Sequence, residues 1–190
     1  MNNPGQLPWR AKMRQLRVAE KAEWMAPDEV VEQVRAHYLE AVAWMSETML
    51  SSWAQQWAQS PHYLNGSYLK RQRNLILSER ARKRVQFVGV KRANHVVEVR
   101  QFSENGSFCL VIDTQTQCRM ATYNRRTHER LHTQDLGDGV VVYAMRYDAE
   151  GERWKIDSFV QELPVGWRMG AVVREFTIVP GTLSRIGRDY

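Results

Sequence analysis

The chain has no apolar run long enough to cross a membrane as a helix. A membrane-spanning helix needs about 18–20 consecutive, mostly apolar residues, and no such run occurs in the 190 residues. The N-terminus also lacks the apolar core of a secretory signal. These absences predict a cytoplasmic protein, or one that lies peripherally on the inner face of a membrane.

Sequence motifs for catalysis and for metal binding are also absent. The sequence contains no Gly-rich phosphate loop, no G-x-S-x-G and no dinucleotide fingerprint. The two cysteines, Cys109 and Cys118, do not form a C-x-x-C pair, and His128 and His132 lie in a predicted hairpin, not on a helix. We therefore expect no metal, no cofactor and no enzymatic activity, and two buried, reduced thiols. The cysteines lie near each other if their segments form adjacent strands of a hairpin.

Positive charge is in moderate excess. The formal net charge is +6, with a sequence pI of about 9.5 and 43% hydrophobic residues. This composition is that of a globular protein with one core. The excess of positive charge favours an anionic partner, which could be nucleic acid, a membrane surface or an acidic protein. The alternative is a basic surface that binds no partner.

Helical periodicity dominates residues 28–81. Large apolar side chains recur every three or four residues from Val30 to Trp57, which predicts a long helix with a possible bend at Ser51-Ser52 and an end at Pro61. A second, basic helix follows Asn65-Gly66-Ser67. The face of this second helix that is not packed is expected to be solvated.

From Val85 onward the apolar residues alternate, as in β-strands. The pattern predicts strands at 85–89, 96–102, 107–113, 117–123, 140–147 and 154–160, with turn signals at 104–106, 135–139 and 148–151. Gly89 is a candidate for a bulge or a sharp bend in the sheet. One more strand-like stretch, 172–179 in the tail, is expected to add to a sheet edge or to a partner. The predicted fold class is α+β, with N-terminal helices followed by a strongly twisted antiparallel sheet.

Three segments resemble a known superfamily. They are the charged hairpin 123–131 and the strand pair 140–148 and 151–159 with its Trp-Lys-Ile. Over residues 28–163 the chain resembles the nuclear-transport-factor-2-like superfamily, most closely its non-catalytic branch of import-motor subunits and chloroplast-division domains. The resemblance implies a cone-like sheet whose concavity holds the helices, preceded by a basic arm (1–27) and followed by an extension (164–190).

Enzymes of that superfamily place an Asp or His base and a Tyr donor inside the cone. The residues of those types here are Asp113, Asp157 and His95 as bases, with Tyr38 and Tyr143 as donors. Asp113 lies beside Thr114-Gln115-Thr116 and His95 follows Arg92-Ala93-Asn94, and both stretches are typical of turns. Asp157 alternates with Ile156, which indicates a solvent-facing position. We therefore expect none of them to be catalytic.

Two sets of residues are candidates for partner binding. The first set lies in the arm and the tail and comprises Trp9, Arg10, Arg14, Arg17, Trp24, Trp167, Phe176 and Ile178. The second is a basic patch for an anionic partner and comprises Arg73, Arg80, Arg82, Lys83 and Arg84. The sequence thus predicts a non-catalytic accessory or scaffold subunit that docks onto a larger protein assembly through the arm, the tail and the cone mouth, and it leaves open whether that assembly is membrane-associated. Two alternatives stay open: a small-molecule-binding or isomerase-like protein using the cone cavity, and an RNA- or ribosome-associated factor.

Overall fold

The described part of the chain contains three α-helices and four β-strands. A computed structural model describes residues 26–81, 86–103 and 105–160, with only the backbone described at 79–81. The elements in chain order are α1 (Asp28–Glu47), a 3-10 turn (Thr48–Leu50), α2 (Trp53–Tyr63), α3 (Gly66–Ala81), β1 (Phe87–Arg100), β2 (Phe108–Asn124), β3 (Arg130–Asp148) and β4 (Arg153–Val160). The predicted α+β class is confirmed. The domain boundaries at 27/28 and 163/164 lie at or beyond the ends of the described ranges and stay predictions.

The long helical segment breaks at Ser51-Ser52, as predicted. Ser52 caps α2, because its side chain accepts a hydrogen bond from the Gln55 amide. The prediction that Pro61 ends the helix is wrong, since Pro61 lies inside α2. A proline cannot donate to the carbonyl four residues earlier, and here the Ser60 hydroxyl donates to that Trp57 carbonyl instead. No helix in the described part of the chain is long and apolar enough to span a membrane.

The strands form one antiparallel sheet in the order β1-β2-β3-β4. Three of the predicted turns are absent, because each lies within a continuous strand. The stretch 92–95 is part of β1, 114–116 is part of β2, and 135–139 is part of β3. The six predicted strands are therefore four, three of which are long. The turns at 105–106 and 148–151 are present.

The three segments predicted to be turns lie side by side across the sheet and mark the line along which it bends. The register shifts between Arg92 and Asn94 in β1 and between Gln115 and Cys118 in β2. Asn94 faces Thr116, and Cys118 faces Gly137 of β3, so the irregularities are neighbours across the sheet. Such bulges bend strands and increase their twist. The prediction of a bulge at Gly89 is wrong, because Gly89 pairs regularly with Thr122.

All three helices pack on one face of the bent sheet. Val34, Tyr38 and Ala41 of α1 are fully buried there against strand residues such as Val111 and Ile156. Each fully buried large apolar side chain stabilises the fold by about 1.5–3 kcal/mol. The part of the predicted stripe from Val30 to Ala41 is thus the centre of the core, whereas Trp57 at its far end is 38% exposed.

Both cysteines lie in the same strand. Cys109 and Cys118 of β2 are buried and free. They do not face each other across a hairpin, which corrects the alternative raised from the sequence. Burial is the main cause that raises the pKa of both thiols, so both stay protonated and unreactive near neutral pH.

The bend gives a first prediction, at Gly137. Its φ of +68° is in the left-handed region, and a Cβ added there meets nothing within 4 Å. Gly137→Ala should therefore lower the free energy of unfolding by about 1–2 kcal/mol through backbone strain alone. Urea denaturation measures this change. Gly139→Ala is the control, because Gly139 lies two residues further in β3 without a positive φ; an equal loss in both variants would contradict the explanation.

Candidate functional site

A buried carboxylate, Asp113, collects hydrogen bonds from three elements. Its side chain is fully enclosed. The Tyr38 hydroxyl donates to Oδ2 at 2.8 Å, Gln115 Nε2 donates to the same oxygen at 2.6 Å, and His95 Nδ1 lies 2.8 Å from it. The second oxygen, Oδ1, is buried and has no hydrogen-bond partner among the described residues.

The fold brings these groups together through strand alternation and the sheet bend. Asp113 and Gln115 are two residues apart in β2 and so point to the same face, the one that α1 covers. His95 is the register partner of Gln115, and Tyr38 belongs to the buried stripe of α1. The four side chains therefore meet where the helix crosses the bent part of the sheet.

Tyr38 is a permanent hydrogen-bond donor in this network. Burial raises the pKa of its hydroxyl well above the usual value, and the negative charge of Asp113 raises it further. The hydroxyl therefore keeps its proton at any physiological pH. Its ring packs against the Tyr143 ring, with centroids 5.9 Å apart.

A cavity of about 180 Å³ lies in front of the network, between α1, α3 and the sheet. Tyr38, His95 and Gln115 line it, whereas Asp113 does not. Apolar wall comes from Val42, Met45, Met49, Leu75 and Ile76. Asp113 thus lies behind the wall and fixes the orientation of three side chains that face the cavity.

Two basic residues are among the described residues that line the cavity. They are Lys91 and Arg71, and no Asp or Glu occurs among those described lining residues. Lys91 Nζ donates to Gln115 Oε1 at 2.5 Å, which links the ammonium group through Gln115 to Asp113. Basic side chains on a cavity wall favour an anionic ligand.

The structure assembles part of the candidate set named from the sequence. Tyr38, Tyr143, His95 and Asp113 come together around the cavity. The expectation that Asp113 and His95 lie in turns is wrong, because both lie within continuous strands. Asp157 is elsewhere, and its Oδ1 accepts from Arg146 Nε at 2.9 Å.

Sequence reasoning did not place Lys91 or Gln115 in the cavity wall. Gln115 lies two residues after Asp113 in β2 and therefore points to the same face of the sheet. Because 114–116 was interpreted as a turn, this strand alternation was not recognised. Lys91 is opposite Met120 in the register, which no local pattern reveals.

Most of the predicted partner-binding residues lie outside the described residues. The residues outside the described ranges are the whole arm and tail set and three residues of the basic patch, Arg82, Lys83 and Arg84. The side chain of Arg80 is not described either. The guanidinium of Arg73 lies over the Trp57 ring, 4.7 Å from its centroid, and its Nε is buried. In the described part of the chain, no group of three or more His, Cys, Asp or Glu side chains is arranged to hold a metal ion.

Comparison with known proteins finds similarity to solved structures only. No protein-family model matches the chain, and no curated protein matches it. Among solved structures, the chain is similar to the intermembrane space region of the chloroplast protein ARC6, at 15% sequence identity and a TM-score of 0.49. The likeness covers 72% of this chain and 97% of that one. Function is therefore inferred from the geometry of the cavity alone.

The network gives a second prediction. Tyr38→Phe removes one of three donors to an enclosed carboxylate and should lower the free energy of unfolding by about 1.5–3 kcal/mol, the range for a hydrogen bond to a charged group. Tyr63→Phe is the control, because the Tyr63 ring stacks on Trp44 and takes no part in the Asp113 network. Urea denaturation of both variants measures the difference. Equal stability of the two variants would show that the Tyr38–Asp113 bond contributes nothing.

Proposed function

We propose that this domain binds a compact carboxylate with a small apolar body in the cavity, without catalysing a reaction. The observation that carries the proposal is the polar part of the cavity wall, where Lys91 Nζ donates to Gln115 Oε1 at 2.5 Å and Asp113 holds Gln115 and His95 in place. Lys91 and Gln115 would hydrogen-bond the anionic end of the ligand.

The volume limits the size of the ligand. A dry cavity of about 150 Å³ holds a molecule as large as benzene, whereas pockets for drug-sized ligands measure about 300–1,000 Å³. A cavity of about 180 Å³ suits a single ring or a short branched chain with one carboxylate. Its body would lie against Met45, Met49 and Leu75.

The position of Asp113 favours binding over catalysis. A catalytic carboxylate must reach the reacting atoms, but Asp113 is enclosed and one of its oxygens already carries three hydrogen bonds. Its role in the proposal is to position His95, Tyr38 and Gln115. The isomerase-like alternative would need His95 as the base, with Asp113 only orienting its ring.

The relationship to the nuclear-transport-factor-2-like superfamily is part of the proposal. Helices on one face of a bent antiparallel sheet, with a cavity between them, support it. The RNA-binding alternative has no observation in its favour among the described residues, since Arg73 already stacks on Trp57.

A ligand titration gives the third prediction. Benzoate should bind with a Kd on the order of 1 mM, as expected for so small a molecule, and should shift the NMR signals of His95 and Gln115. Benzyl alcohol, of similar size but uncharged, should bind about tenfold more weakly, because it lacks the charge-assisted hydrogen bond.

Two lysine variants make the test specific. Lys91→Met should weaken benzoate binding about tenfold through loss of the same bond. Lys70→Met removes the same charge from an exposed position of α3 outside the cavity wall and should leave the Kd unchanged. Equal binding of benzoate and benzyl alcohol, equal Kd changes in the two variants, or no binding of benzoate would contradict the proposal.

A second candidate function is that of an accessory subunit in a larger protein assembly. The observation that favours it is the strand pairing of β3. Among the described residues β4 pairs with β3 only from Val142 to Asp148, so 130–141 have β2 on one side and no strand on the other. An unpaired edge is a template for a strand from a partner.

Co-purification tests the second candidate and gives the fourth prediction. The full chain, purified from its source cells at low salt, should bring a stoichiometric protein partner identified by mass spectrometry. Deletion of residues 1–27 should weaken this association if the predicted arm contributes to it. A chain that purifies alone, or nucleic acid in place of protein, would count against an accessory subunit.

A further inference from the structure

The first two residues of β4 are held by side chains from two helices. The buried Arg153 donates to Glu40 Oε2 of α1 at 2.8 Å and to His62 Nε2 of α2. The next residue, Trp154, donates its backbone N–H to His37 Nδ1 of α1 at 3.2 Å. Two histidines thus accept hydrogen bonds where α1, α2 and β4 meet, and neither is among the described residues that line the cavity.

Both contacts require a neutral histidine. A backbone N–H and a guanidinium group can only donate hydrogen bonds, so His37 Nδ1 and His62 Nε2 must each carry a lone pair. The one ring proton is then on the other nitrogen of each ring. A second proton would remove the acceptor from the Trp154 N–H and would place a new positive charge beside Arg153.

The pairing of β4 offers the Trp154 N–H no other acceptor. Trp154 is the register partner of Tyr147 in β3, and the Tyr147 N–H points the other way, to the Ser107 carbonyl at 2.8 Å. In an antiparallel pair the N–H groups of two such partners point to opposite sides, away from each other. The Trp154 N–H therefore lies on the outer edge of β4, which no other described strand covers, and His37 takes the place of a strand there.

The surroundings of His37 disfavour its charged form. Burial is the main cause that holds the pKa of His37 below its usual value of 6.5, and the Arg153 guanidinium lowers it further. The negative charge of Glu40 acts in the opposite direction with a smaller effect, and His62 adds a small further decrease. The closed contact thus binds a proton less readily than a free histidine does.

His62 has similar charged neighbours but more contact with water. Burial and the charge of Arg153 lower the pKa of His62, Glu40 raises it, and Lys155 lowers it slightly. The Lys155 ammonium group is itself paired with Asp148 at 2.6 Å. Because His62 is exposed, solvent screens these charges, and we assign the smaller part of the effect to it.

We propose that His37, assisted by His62, is a pH-sensitive latch that holds the start of β4 to α1 and α2 and loosens in mildly acidic solution. When the contact opens, His37 is free to bind a proton at its usual pKa of 6.5. The opened form therefore binds more protons than the closed form below that pH. The closed form is most stable above pH 6.5 and loses stability as the pH falls through this value.

Amide hydrogen exchange, followed by NMR on the full chain, gives the fifth prediction. The protection of the Trp154 amide, relative to an unstructured peptide at the same pH, should fall by up to about tenfold from about pH 7.5 to about pH 5.5, because opening is then coupled to uptake of one proton. The Tyr147 amide is the internal reference, because its acceptor is the Ser107 carbonyl, which does not titrate in this range. Protection of Trp154 that does not change, or that changes equally at both amides, would overturn the proposal.

Two histidine variants assign the effect to the latch. His37→Asn keeps an acceptor near the position of Nδ1 but does not titrate, so the decrease at the Trp154 amide should shrink to less than about twofold. His132→Asn is the matched control, because His132 is exposed in β3, and it should show the full decrease. A decrease that persists in His37→Asn, or that disappears in His132→Asn, would contradict the assignment.

Discussion

The bend that crosses β1, β2 and β3 is the constraint on which the domain depends. Register shifts near Asn94 and Gln115 and a left-handed residue at Gly137 lie next to one another across the sheet. They turn three long strands over α1 without ending any of them. A flat sheet would contact the helix along one line only, whereas the bent sheet reaches around it and leaves a cavity where the bend and α3 separate.

The bend also makes the burial of Asp113 possible. An enclosed carboxylate costs several kcal/mol unless it is hydrogen-bonded. Tyr38 from α1, His95 from β1 and Gln115 from β2 supply those bonds on one oxygen. Because the same side chains form part of the cavity wall, the interaction that compensates the buried charge also fixes the groups available to a ligand.

The sequence predicted the helices, the break at Ser51-Ser52 and the α+β class, because these depend on periodicity and local capping. It failed at Thr114-Gln115-Thr116 and at 135–139, where polar and glycine residues indicate a turn and a bulge equally well. Only the pairing of distant strands distinguishes the two. The site was partly predictable for the same reason. Asp113 and Tyr38 could be named from their residue types, but their contact joins positions 75 residues apart. Lys91 becomes part of the site only when the chain is folded.

The alternation of side chains along β2 connects the two faces of the sheet. Ile112 packs with Val140 and Val142 on the outer face of the sheet, and its neighbour Asp113 belongs to the network behind the cavity. Ile112 is 1% exposed, so little water reaches the backbone that carries Asp113 from the outer face. Hydrogen bonds in a dry environment are stronger and hold their geometry better. The packing on one face of β2 therefore supports the polar network on the other, and the two faces are coupled through a single strand.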